Sequence, residues 1–269
     1  MLDITKLLTD EFVDRLAEGY QSAFGAYNAP AEYEKLITEN AREVLSIIAS
    51  SNTLYHNVEH TIQVTLVGQA LLLGKLKVDE QVSPKIWLNC IMSLLCHDIG
   101  YVPGILISDA SGTIGENASG ALLMPVHIDR GKRYAKEAFS GLPGMDVDFI
   151  QDCIERTRFP IPAGESYQMT DDFPGLIRGA DLVGQLSDPR YFNKLPAVFF
   201  EFEESGYNEV TGYKQPADLL RNYMSFYEGS VEPYVQATLD FLSMTSIGQS
   251  ILRGYEANKT FARENTHRF

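Results

Sequence analysis

The residues that could do chemistry sit in three separated stretches. In CIMSLLCHDIGY, the apolar run Ile91 to Cys96 delivers His97 and Asp98 side by side, with Gly100 close behind. An isolated charge is costly to bury unless it is paired or bound to a metal. A histidine and an aspartate placed together at the end of an apolar helix therefore read as the centre of a metal site. In YHNVEH, His56 and His60 lie four apart, and a helix beginning there would put both rings on one face. Three of the five histidines fall in these two stretches. In IRGADLVGQLSDP, Asp181 lies between Ala180 and Leu182-Val183 in an apolar helical segment. It needs a cation or several donors, and a helix cap or a salt bridge would also satisfy it. Nitrogen and oxygen donors of this kind suit a divalent ion such as Zn, Mn, Fe or Mg, at one site or two.

The elements that must position these groups are helices. Periodicity of 3.6 dominates the 269 residues. Residues 8–24 and 31–50 read as amphipathic helices, the second opened by Pro30-Ala31. Residues 56–77 form a long helix in which Val58, Ile62, Leu66, Ala70 and Leu73 recur on one side. Ser83-Pro84 supplies an N-cap and a first-turn proline for a helix through Leu95. Residues 102–125, rich in Gly, Ser, Ala and Asn, break the pattern. So long a loop directly after the His-Asp pair is either a lid or lining of the site, or a surface insertion. Helices resume at 127–140, 146–158, 172–187 and 190–205. Ala217 to Met244 reads as one long helix or a pair kinked at Pro233, and 247–264 as a last polar-faced helix. The expected fold is all-α. Residues 1–269 form one domain: N-terminal helices (1–50), a metal-binding core (51–245) and a C-terminal helix (246–269).

Bulk properties narrow the partners. With 36 acids against 22 bases and a net charge of -14, the chain lacks the basic surface that a nucleic-acid duplex or an anionic membrane requires. No apolar run approaches the roughly 20 residues that span a bilayer, and the N-terminus MLDITKLLTDEF has no apolar signal segment. A cytoplasmic protein is expected. Cys90, Cys96 and Cys153 have no zinc-ligand spacing and read as buried thiols in a reducing compartment.

The order His60, then His97-Asp98, then Asp181, on helices of an all-α chain, resembles the HD superfamily of metal-dependent phosphohydrolases over about residues 50–245. YHNVEH is similar to the motif of the cyclic-nucleotide phosphodiesterases in that superfamily. CIERTRFP resembles their helix carrying a threonine, here Thr157, and ADLVGQLSDP the segment around their last metal aspartate. VFFEFEESGYNEV looks like their following helix and turn, and FYEGSVEPYV like their final pocket helix, with Phe226 seven residues before Pro233.

The resemblance implies that His60, His97, Asp98 and Asp181 bind a first metal and that Asp98 bridges to a second. It implies that His56 is the general acid protonating the leaving oxygen. The implied reaction is hydrolysis of a phosphodiester or nucleotide-like phosphomonoester by a metal-bound hydroxide. An extra histidine serves a second metal or a phosphate in some members. His127 in MPVHIDRGKRYAKEAF could do so, while Arg130, Lys132 and Arg133 either contact phosphate or form a solvated face. Two positions depart from the phosphodiesterase pattern. Tyr101 stands where a second histidine follows the metal aspartate by three. Tyr223, beside Asn222, stands where a glutamine grips the purine. Asn57, Tyr101, His127, Thr157, Tyr223 and Phe226 are thus candidates for substrate contact or support of the ligands. Tyr223 and Phe226 could stack on a base or simply be core. A non-catalytic metal- or nucleotide-binding module and a diiron oxygenase are the competing functions. The expected partner is a small phosphorylated substrate, nucleotides among the candidates. His267, in the polar tail, is assigned no role.

Overall fold

Side chains at helical spacing fold into helices here because each apolar stripe finds another to cover it. A computed structural model of the chain describes residues 4–26, 29–78, 81–111 and 119–266. Among the described residues there is no strand, and the all-α architecture is as expected. The helices in order are α1 (Ile4–Phe24), α2 (Ala31–Ile48), α3 (Val58–Leu76), α4 (Pro84–Cys96), α5 (His127–Phe139), α6 (Val147–Arg156), α7 (Glu165–Gln168), α8 (Phe173–Ser187), α9 (Tyr191–Glu204), α10 (Tyr207–Thr211), α11 (Pro216–Arg221), α12 (Tyr223–Phe226), α13 (Glu232–Ser243) and α14 (Ser246–Asn265).

The centre is built from α3, α4 and α8. Every residue of α4 from Trp87 to Cys96 is buried, and most of α3 and α8 is as well. Their near-continuous apolar character follows, since a helix covered on all sides has no polar face. α3 and α8 lie side by side, closely enough that a Cβ on Gly184 would stand 3.0 Å from the Cα of Val64. α1 and α2 pack over α3 and α4, α6 covers α4, α5 packs on α6 and on the turn just after α4, and α13 and α14 close the far side of α8. One continuous cluster of buried apolar side chains runs through all of them. Among the described residues no helix is long and apolar enough to cross a membrane.

Several boundaries differ from expectation. α3 begins at Val58, not His56, because Asn57 is its N-cap: the Asn57 side chain accepts from the amides of Glu59 (2.9 Å) and His60 (3.3 Å). His56 therefore lies in the turn before the helix and does not share its face with His60. Residues 217–244 are not one helix kinked at Pro233. They comprise the rest of α11, α12, a π-helical turn over Tyr227–Val231 and α13, whose first turn holds Pro233. Proline lacks an N–H, and the first turn is where its absence costs no bond. The segment after α4 is irregular as expected, with 3-10 turns at Ile99–Tyr101, Ile107–Ser111 and Gly120–Val126. The middle of the proposed lid, residues 112–118, and His267 lie outside the described residues.

Candidate metal centre

Three elements bring the ligand-type side chains together. α3 carries His60 in its first turn, fixed by the Asn57 cap. α4 ends at Cys96, so that His97 and Asp98 leave the apolar helix where it opens, and α8 presents Asp181 from the neighbouring helix. His60, His97 and Asp181 form a group whose donor atoms all lie within 4.8 Å of one another, close enough to hold one metal ion. Asp98 lies beside this group. Its Oδ2 is 3.0 Å from His97 Nε2 and 3.2 Å from His60 Nε2, while Asp181 Oδ1 is 3.7 and 3.6 Å from the same nitrogens.

The donor chemistry fits a divalent cation. His97 Nδ1 lies 2.7 Å from the Leu94 carbonyl. A carbonyl only accepts, so Nδ1 carries the proton and Nε2 is left to face the carboxylates. That Nε2 is buried and makes no hydrogen bond. A buried polar atom without a partner calls for one. The electrostatics agree. Burial disfavours a charged His97, yet Asp98 and Asp181 outweigh it and raise its pKa to about 9. Asp98, although buried, is held well below the usual carboxylate range by His97, His56 and His60, whereas burial lifts Asp181. The cluster thus has a negative potential that attracts protons and would attract a metal ion more strongly.

A second pair flanks this group. His56 Nδ1 lies 2.5 Å from Oε2 of Glu201, which is only 1% exposed. The other oxygen, Oε1, accepts from the amides of Tyr55 (2.6 Å) and His56 (3.2 Å). Burial opposes the His56 charge, but Glu201 and Asp98 overcome it and raise its pKa to about 9. Glu201 is held down by the same pairing despite its burial. The stretch VFFEFEESGYNEV that resembles the family contains Glu201, but neither the resemblance nor any ligand spacing gave it a role. Its only signal was an acid among the phenylalanines of VFFEFEE, and an acid there reads equally well as solvent-facing.

Tyr101 is sandwiched between two imidazoles. Its ring stacks on His56 at 4.4 Å and on His127 at 4.3 Å. His127 opens α5, its Nδ1 donates to the Met124 carbonyl at 2.6 Å, and its Nε2 lies 3.9 Å from Asp98 Oδ1. Burial lowers its pKa to about 4, which keeps the ring neutral. The two oxygens of Asp98 therefore face different histidines: Oδ2 meets His60 and His97, and Oδ1 meets His127.

Of these groups, His56, His60, Asp98, Tyr101, His127 and Asp181 form the floor of a cleft of about 780 Å³. Thr157, Tyr223 and Phe226 line it, as do Met124 and Pro125 from the end of the irregular segment. Thr157 Oγ1 donates back to the Ile154 carbonyl. Tyr223 is 1% exposed and packs among Tyr191, Phe192 and Tyr227, so it is mainly core. Asn57 does not line the cleft; it supports His60 through the cap. Arg130 belongs to neither expected class. It is buried, pairs with both Asp109 oxygens at 2.7 Å and donates to the Gly100 and Val102 carbonyls at 2.8 Å. It straps the 100–109 segment to α5. Lys132 pairs with Glu155 at 2.8 Å, and Arg133 is exposed.

No curated protein and no solved structure matches the chain. A family model, described as Npun_R2479-like, matches residues 2–265. The chain belongs to the Npun_R2479-like family.

Proposed function

We propose that this protein is a metal-dependent phosphohydrolase of the HD type, acting in the cytoplasm on a small phosphorylated substrate. The observation that carries the reading is the convergence of His60, His97, Asp98 and Asp181 from three separated segments, beside a histidine braced by a buried carboxylate. A divalent ion bound by such donors polarises phosphoryl oxygens and lowers the pKa of a coordinated water. His60, His97, Asp98 and Asp181 would hold one ion, and Asp98 with His127 could serve a second. The three buried free thiols fit a reducing compartment.

The chain's own groups account for the proton. His56 lines the cleft next to the ligands, and Glu201 orients it by binding Nδ1. Its Nε2–H is the donor for the leaving oxygen, and the stacked Tyr101 fixes the plane of the ring. A binding module would have no use for a buried carboxylate that keeps one imidazole charged.

Elemental analysis of the purified protein, followed by a panel of phosphate mono- and diesters under the metal found, tests the reading. We expect at least one bound divalent ion per chain, lost in both His97→Ala and Asp98→Ala, together with ester cleavage. Full metal content in both variants would refute the ligand assignment, and a metal-loaded protein inert on every ester would refute the reaction.

A further inference from the structure

We infer that the cleft selects substrates with a single anionic phosphoryl group and a bulky apolar body, and selects against nucleoside polyphosphates and purine nucleotides. The inference rests on the phosphohydrolase reading only in assigning the phosphoryl group to the floor. The wall above that floor carries the rest. Tyr191, Leu195, Val198, Phe202, Leu219 and Phe226 line it, contributed by α9, α11 and α12. A cavity of about 780 Å³ holds a body of some tens of heavy atoms, and an apolar lining favours whatever removes the most apolar surface from water.

The charge balance excludes the alternatives. Among the described residues no lysine lines the cleft, and its two arginines each have protein partners, although the buried Nε of Arg178 has none. Arg158 donates to Glu155 at 2.5 and 2.9 Å and to Asp129 at 2.8 Å. Arg178 is 2% exposed, donates to the carbonyls of Tyr167 (2.7 Å) and Met169 (3.1 Å), and lies 4.3 Å over the Tyr234 ring. Against them stand Asp98 and Asp181 on the floor and Glu201 behind His56. A chain of phosphates would bring several further negative charges, and the two cationic side chains there would have to exchange protein partners or emerge from burial to meet those beyond the floor. Purine recognition fares little better, because each of the two side-chain amides already has one end engaged and neither can offer both its donor and its acceptor to a base. Gln185 accepts from the Tyr55 hydroxyl at 3.3 Å, and Asn222 donates to the Asp218 carbonyl at 2.8 Å. The Tyr223 hydroxyl is buried and has no hydrogen-bond partner.

Calorimetric titration of the full, metal-containing protein tests this with n-alkylphosphonates from methyl to octyl, alongside AMP and ATP. Affinity should rise about threefold to fourfold per methylene until the wall is covered, and hexylphosphonate should bind more tightly than either nucleotide. Val198→Asp, a half-buried position on the wall, should flatten that series while metal content stays at the parent level. Affinity independent of chain length in the parent protein, or ATP binding tighter than hexylphosphonate, would overturn the inference. Turnover of the matching alkyl phosphate esters separates the two readings. Length-dependent binding without cleavage leaves the apolar selectivity standing and removes the phosphohydrolase, whereas nucleotide cleavage with a flat phosphonate series does the reverse.

Discussion

The two sides of the cleft are built on opposite principles. The floor hangs from long helices buried on nearly every side, α3, α4 and α8, which meet at contacts with no slack. The wall comes from α9 to α12 and the π-helical turn after them, mostly short segments whose side chains range from buried to exposed. Metal ligands must be held to within a few tenths of an ångström, and dense packing supplies that rigidity. A surface that accepts an apolar body needs only shape and area. Changes on the floor should therefore cost stability and metal together, and changes on the wall should cost little of either.

The largest effect is expected at Gly100. A Cβ there would stand 1.8 Å from the carbonyl oxygen of His127, an impossible distance, and the Gly100 carbonyl is already pinned by Arg130 at 2.8 Å. Neither backbone can move without releasing the arginine strap, and Asp98 is only two residues away. Gly100→Ala should destabilise the fold by about 3 kcal/mol in urea denaturation and weaken metal binding as well. A variant within about 0.5 kcal/mol of the parent would show that the junction after α4 is soft and would remove the contrast between floor and wall.

Glu201 crosses the divide, because it sits on a wall helix yet serves the floor. Glu201→Gln keeps the shape and one carbonyl oxygen for the amides of Tyr55 and His56, but removes the charge paired with His56 Nδ1. Metal content should be unchanged. Turnover of an alkyl ester should fall on the order of 10²-fold, the scale of lost proton transfer, while a nitrophenyl ester, whose leaving group needs little protonation, should lose far less. Equal losses on both esters would deny His56 its role as acid.

What could be read from the sequence divides along the same line. The meeting of His60, His97 and Asp181 was legible because ligand-type residues in apolar helical stretches have few other reasons to be there. The all-α class followed from periodicity alone. Glu201 was not legible, since its meaning depends on His56, 145 residues away in the chain. Arg130 looked like part of a solvated basic face, and only the return of Asp109 across 21 residues makes it a buried strap. The start of α3 was misplaced by two residues although its cap was in plain view: an asparagine before a helical run competes with the helix for its own first amides. Pro233 suits a kink and a first turn equally well, and the π-helical turn before it carries no pattern of its own.

The smallest expected effects set a seam of the floor against a side chain of the wall. Gly184→Ala places a Cβ 3.0 Å from the Cα and Cγ2 of Val64, a tight but not impossible contact between α3 and α8. The helices must part by a few tenths of an ångström, at a cost of about 1–2 kcal/mol, and His60 and Asp181, which ride on them, should share a metal less well. Phe226→Leu trims a half-buried ring that meets Phe159 edge-on at 6.0 Å. It should cost less than about 1 kcal/mol and leave the metal in place. Unfolding midpoints and metal content measured side by side decide the matter. If the wall substitution removed as much metal as the seam substitution, ligand geometry would depend on the whole cleft, and the division of labour between its two sides would fail.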